Sequence, residues 1–258
     1  MRRALVLAHK DAASYFRSRA GVFLFAFFYL ITGIFFFLIV TGYARLSVTA
    51  NDGGYQALAG LNLTRFVFGS LFLNMSMLLI FLVPLVSMKA LAEERRQETL
   101  ELLFTYPFSD FDIVWGKFLG LVWIFELLFL PTVIYLWVIR WLGGHFDWGP
   151  ILTSYFGFWL LGNAFLSLGL FVSSLTVHPL VSAVATFGSL ILLWILDWVA
   201  GVTDGAVANF FTVLSPLAHY REFTMGILDL QHVVYFCFFH FYFLFLTLRS
   251  IETRHWKG

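Results

Sequence analysis

Six stretches of this chain run for 17–24 residues with at most one Asp, Glu, Lys or Arg each: 21–43, 66–88, 118–139, 151–174, 180–200 and 232–248. A helix rises 1.5 Å per residue, so runs of about 20 residues match the roughly 30 Å hydrocarbon core of a bilayer. Backbone amides find no water there, which leaves the helix as the simplest structure such a run can adopt. Composition agrees. The chain is 60% hydrophobic and only 12% charged, where a soluble domain is about a quarter charged. The expected fold is an all-α integral membrane protein with six transmembrane helices, not a soluble helical core. Pro84 and Pro131 fall inside the second and third runs. We find no internal repeat and no low-complexity linker.

Lys and Arg set the orientation. Arg2, Arg3, Lys10, Arg17, Arg19, Lys89, Arg95, Arg96, Lys117, Arg249, Arg254 and Lys257 fall on one side, and Arg45, Arg65, Arg140 and Arg221 on the other. Six spans reconcile these positions with both termini and the segment after the second span in the cytoplasm. The first run is closed by no small-x-small cleavage site and reads as an uncleaved span. Trp141, Trp148 and Trp198 mark the outer boundary, and Trp115 and Trp256 the inner one. Outside, 44–65 carries the turn signal Asn51-Asp52-Gly53-Gly54. The segment 201–231 is apolar with helical spacing but too short to span twice. It is expected to form short re-entrant helices before the last span. A tight inner turn near 176–179 joins the fourth and fifth spans.

Residues 1–20 form a separate expectation. Leu5, Ala8, Ala12, Tyr15 and Phe16 recur at three- and four-residue spacing among basic side chains. That pattern predicts an interfacial helix lying against anionic lipid heads.

The remaining unusual segment is 93–117, EERRQETLELLFTYPFSDFDIVWGK, in which nine of 25 residues are charged. It cannot lie in hydrocarbon, where a central charge costs roughly 2.5–3.5 kcal/mol. Thr105-Tyr106-Pro107 ends a first helix, since proline disfavours helix at and before itself. Ser109 with Asp112 then resembles a capping box, and Asp110 and Asp112 suit a helix N-terminus. The result is a stiff helical hairpin in water that leads into the third span.

Here the residues resemble a known family. Glu93-Glu94-Arg95-Arg96, Thr99-Leu100-Glu101-Leu102-Leu103, Thr105, Pro107 and Gly116-Lys117 look like the cytoplasmic signature of type-2 ABC transporter permeases. The resemblance is closest to the gliding-motility type, which the tail FLFLTLRSIETRHW also resembles. It implies a permease that dimerises with itself or a related subunit and docks on separate ABC ATPase subunits. Glu93, Glu94, Arg95, Arg96, Glu98, Thr99, Glu101, Leu102, Leu103, Thr105 and Pro107 would then form the coupling helix. It also implies that the second and fifth spans face the dimer axis. Ser70 and Asn74, and the stripe Ser182, Thr186 and Ser189, are the corresponding candidates for path lining. Small polar residues equally serve helix packing.

Energy has to come from a partner. No G-x-x-x-x-G-K-[ST] cradle occurs, because Gly116-Lys117 is followed by Phe118 and preceded by no glycine at the required spacing. ATP and Mg belong to the ATPase, and this chain is expected to bind no cofactor. Net charge is +1, which offers nucleic acid no attraction. His145, His178, His219, His232 and His240 are scattered with no metalloprotease or nucleophile-elbow pattern, so no metal site and no catalytic residue is expected. The lone Cys237 reads as a buried small hydrophobe. Within the spans, Glu126 and His240 each lie nine residues from a cytoplasmic cation, about 13 Å deep. They are expected to pair, or Glu126 to be protonated.

The function expected is the transmembrane subunit of an ATP-driven exporter in the bacterial inner membrane, working by alternating access. The alternative is a non-transporting scaffold that transmits force in a cell-envelope machine.

Overall fold

The structure is a computed structural model and describes residues 2–52, 62–97 and 109–255. Among them every regular element is helical, and six helical stretches are long and apolar enough to cross a membrane: Gly21–Val48, Thr64–Arg96, Asp110–Trp141, Trp148–Leu175, Pro179–Val202 and Leu230–Thr253. Each contains one of the six apolar runs.

The elements follow in order. Helix α1 is Arg2–Arg17 and α2 is Arg19–Asp52. A π-helical turn, Thr64–Gly69, leads into α3, Ser70–Ser87, and a short α4, Ala92–Arg96, follows. Helix α5, Asp110–Phe129, continues through a 3-10 turn, Leu130–Val133, into α6, Ile134–Trp141. Helix α7 is Trp148–Leu175 and α8 is Pro179–Val202. Two short helices, α9 (Gly205–Leu214) and α10 (Pro216–Thr224), precede α11 (Leu230–His255).

The sequence explains the breaks. Pro131 has no N–H to give, and the third apolar helix tightens at Leu130–Val133, where the Thr132 hydroxyl donates to the Phe129 carbonyl at 2.7 Å. Pro84 is tolerated inside α3. Between α1 and α2 the chain bends at Ser18, whose hydroxyl donates to Tyr15 O (2.7 Å) and accepts from the Gly21 N–H (3.0 Å). A Cβ on Gly21 would lie 2.1 Å from the Tyr15 carbonyl oxygen, so only glycine fits this elbow.

Helix α7 is the centre of the bundle: 83% of its apolar window is buried, against 17% for α11. Glycines let neighbours close on it. The Phe223 ring of α10 lies over Gly157, the Phe125 ring of α5 over Gly162, and Ser87 of α3 over Gly169. Aromatic rings fill the space between. Phe129 and Phe158 stand 4.9 Å apart, and Phe72 meets Tyr155 edge-on at 4.7 Å. Helices α2, α8 and α11 form the periphery and expose Phe23, Phe37, Leu180, Leu192 and Phe238, as membrane-facing surfaces do.

Several expectations change. On α1, Ala8 and Ala12 of the stripe read from spacing are buried and Tyr15 and Phe16 half-buried, while Leu5 is exposed and Leu7 is buried beside them. Cys237 is exposed, because α11 is peripheral along most of its length. The short helices before α11 differ from each other. Helix α10 is folded into the bundle, with Tyr220 fully buried and donating to Phe72 O at 3.1 Å. Helix α9 buries none of its residues.

Candidate functional site

The end of the bundle that carries the connector is held by one cation. Lys117 is near the start of α5 and only 4% exposed. Its ammonium lies 2.8 Å from Asp11 Oδ2 on α1 and donates a short hydrogen bond to Glu94 Oε1 on α4. A buried ammonium needs such partners, since desolvation of an unpaired charge costs several kcal/mol. Three elements distant in sequence therefore meet at a single side chain.

Local chemistry positions each participant. Helix α5 starts at the anticipated capping box. Ser109 Oγ accepts from the Asp112 N–H at 3.2 Å, and Asp112 Oδ2 accepts from the Ser109 hydroxyl at 2.8 Å and faces its N–H at 3.5 Å. Helix α1 packs along α5 at Gly120, where the Ala8 carbonyl oxygen and Asp11 Cβ stand at van der Waals distance, 3.4 Å, from the position a Cβ would take. Helix α4 lacks a capping side chain of its own. Its first amides are capped from another helix. Ser173 Oγ on α7 accepts from the Leu91 and Ala92 N–H groups, both at 3.1 Å, and donates to Met88 O at 3.3 Å. The central helix thus holds the root of the connector.

A cavity of about 320 Å³ opens beside this joint, lined among others by Asp11, Tyr15, Lys89, Glu93, Glu94 and Lys117. Burial pushes the Tyr15 phenol up to about 12, so it stays a neutral donor, and its hydroxyl reaches the Leu85 carbonyl at 3.4 Å.

The connector residues divide. Glu94 is turned inward to Lys117, while Glu93 accepts from the Gln97 amide at 3.1 Å and faces Arg96 at 3.7 Å near the surface. Arg95 is half-buried. Glu98, Thr99, Glu101, Leu102, Leu103, Thr105 and Pro107 lie outside the described residues, as does the proposed turn at 105–107.

The path-lining candidates also divide. Ser182 and Thr186 are fully buried within the protomer, and Thr186 packs near Gly169 opposite Ser87. Ser70, Asn74 and Ser189 are half-buried; the Asn74 amide donates to Ser70 O at 2.8 Å and the Ser189 hydroxyl to Ala185 O at 2.8 Å.

Glu126 and His240 do not pair. The register of α11 on α5 sets His240 edge-on to Phe118, eight residues and about 12 Å along the helix from Glu126. His240 Nδ1 bonds the Phe236 carbonyl of its own helix, and Glu126 accepts from the Trp159 indole of α7.

One contact escaped the sequence. His219 of α10 and His232 of α11 meet Nδ1 to Nδ1 at 2.7 Å. His219 Nε2 bonds Val213 O at 3.0 Å, which fixes its tautomer. The neutral ring then accepts at Nδ1, and His232 donates. No local pattern in the sequence announces this pair. Among the described residues, no group of three or more His, Cys, Asp or Glu side chains could hold a metal.

A six-helix apolar bundle, an amphipathic leading helix and a charged connector rooted in the central helix define a multi-pass membrane subunit. The chain belongs to the ABC-2 transporter family, whose model, the ABC-2 family transporter protein, matches residues 5–248. The match runs from α1 through nearly all of the sixth apolar helix. No curated protein matches the chain. Membership makes it the membrane subunit of an ABC-2 transporter, a permease of a kind that typically carries no catalytic site and works with an ATPase.

Proposed function

We propose that this chain is the permease of an ATP-driven exporter in a bacterial inner membrane, of the gliding-motility type, and that it works as a dimer by alternating access. The connector beginning at Glu93 faces the cytoplasm and docks on an ABC ATPase that binds ATP and Mg. Nucleotide-driven closure of the ATPase displaces α4. The observation that carries this reading is the Lys117 joint. A push on α4 is transmitted through Glu94 and Lys117 to α5, and through Asp11 to α1. Ser173 provides the fixed point on α7 about which α4 turns.

The ATPase must bind the two permease states with different affinity, or its cycle moves nothing. Helices α3 and α8 face the dimer axis in this reading. Ser70, Asn74 and Ser189 then border the path, and Ser182 and Thr186 set the packing of α8 behind it.

Site-specific photocrosslinking tests the docking. A photoreactive residue at Glu93 or Gln97, in the full chain co-expressed with its ATPase, is expected to capture that ATPase. One at Trp141, at the opposite end of the bundle, is expected not to. Capture at Trp141 and none at the connector would overturn both the sidedness and the coupling role.

A further inference from the structure

Glu126 sits on a flank of the bundle that the described residues leave open. It is half-buried, and its hydrogen-bond partner among the described residues is the Trp159 indole. None of the ion pairs among the described residues includes it. Trp123 and Leu127 of α5, Leu130 of the turn that follows it, and Phe156 and Trp159 of α7 are all more than a third exposed around it. The Phe156 and Trp159 rings are stacked within 14° of parallel. The face is broad, apolar and aromatic, with one carboxyl at its centre.

Depth makes the carboxyl informative. Glu126 lies nine residues, about 13 Å, beyond Lys117 along a helix that enters the bilayer. An ionisable side chain in hydrocarbon is costly and is characteristically matched by a partner. Trp159 occupies one oxygen and leaves acceptor capacity on the carboxyl.

We propose that this α5–α7 face docks a transmembrane helix of a different polypeptide, one that carries a lysine or arginine at the depth of Glu126. Charge complementarity selects the occupant. A second copy of this chain brings no Lys or Arg to this depth, because none of the six apolar runs contains one, and its His240 is bonded to Phe236 O and packed against Phe118. Lipid headgroup amines stay at the surface. Backbone at this depth is helical. The inference rests on the six-span reading and not on the coupling role of the connector.

The test uses the full chain in lipid vesicles with a photoreactive residue at Leu127. The probes are two polyleucine transmembrane peptides, one with a single central arginine and one without. The arginine peptide is expected to crosslink about tenfold more, the factor that an interhelical polar contact supplies in lipid. Glu126→Gln, which keeps an acceptor for Trp159, should bring both peptides to the same yield. A photoreactive residue at Leu192 on α8 should capture both equally in either background, which reports that the variant is folded. Equal yields at Leu127 in the unmodified chain would overturn the proposal and mark Glu126 as a protonated, lipid-facing carboxyl. Chain-to-chain crosslinks at Leu127 in place of peptide capture would overturn it too, by assigning the face to a second copy.

Discussion

Lys117 Nζ lies 2.8 Å from Asp11 Oδ2, and this contact fastens the leading helix α1 to the base of α5. The same ammonium holds Glu94. Of the three charges the lysine is the most enclosed, at 4% exposure against 28% for Asp11 and 18% for Glu94. The asymmetry has a measurable consequence.

Removing both carboxylates strands a buried cation, whereas removing the cation leaves two carboxylates that reach the adjoining cavity. Asp11→Ala with Glu94→Ala is expected to cost about 3–5 kcal/mol. Lys117→Met is expected to cost about 1 kcal/mol, because the methionine fills the buried stem's volume. Unfolding in detergent, followed by tryptophan fluorescence, ranks the two. The reverse ranking would show that the joint does not owe its stability to the paired lysine.

Ser173→Ala removes the acceptor for two amides at the root of α4. We expect a local effect of about 1–2 kcal/mol, seen as faster hydrogen exchange at Leu91 and Ala92 with the amides of α7 unchanged. Exchange accelerating along the whole of α7 would mean that Ser173 supports the bundle and not the connector.

What was legible in the sequence is what local pattern encodes. The six apolar runs and the Ser109 cap each depend on residues within a few positions or one periodicity, and the structure reproduces them. The contacts between elements were not legible. Glu126 and His240 share a distance from the charged boundary, but distance from a boundary fixes neither azimuth nor register, and α11 meets α5 at Phe118 instead. The Lys117 joint needs Asp11, Glu94 and Lys117 brought from three segments. The His219–His232 contact depends on how the chain turns between α10 and α11. Ser182 and Thr186 kept the helical stripe read from spacing, and the packing of α7 decided that the stripe points inward.

Gly162 and Gly188 separate steric need from helix propensity. A Cβ on Gly162 would lie 2.1 Å from Phe125 Cζ, whereas a Cβ on Gly188 would have nothing within 4 Å. Gly162→Ala is expected to destabilise by about 1–3 kcal/mol through overpacking. Gly188→Ala is expected to be neutral or to stabilise by up to about 1 kcal/mol. Thermal unfolding of the two variants side by side checks the contrast.

His219 predicts an acid limb in stability. Burial pushes its imidazole below the ordinary histidine value, and protonation would set an N–H against the His232 N–H beside the Tyr235 ring. The unfolded chain therefore takes up the proton first. The contribution of neutral His219 is fully present above the unfolded value of about 6.5 and is lost as pH falls through the lowered folded value. His219→Gln should flatten the loss of thermal stability between about pH 7.5 and about pH 5.5, one unit either side of a normal imidazole. An unchanged acid limb in that variant would assign it to other groups.

The central claim is that the Lys117 joint carries motion from the connector into the spans. Electron–electron resonance distances between two copies labelled at Gly188→Cys, with Cys237→Ala, measure it in vesicles containing the partner ATPase. The distance is expected to shift between the ADP and ATP-vanadate states. With Lys117→Met, ATPase binding and hydrolysis should persist while the shift disappears. A shift of the same size in the Lys117→Met protein would contradict the account.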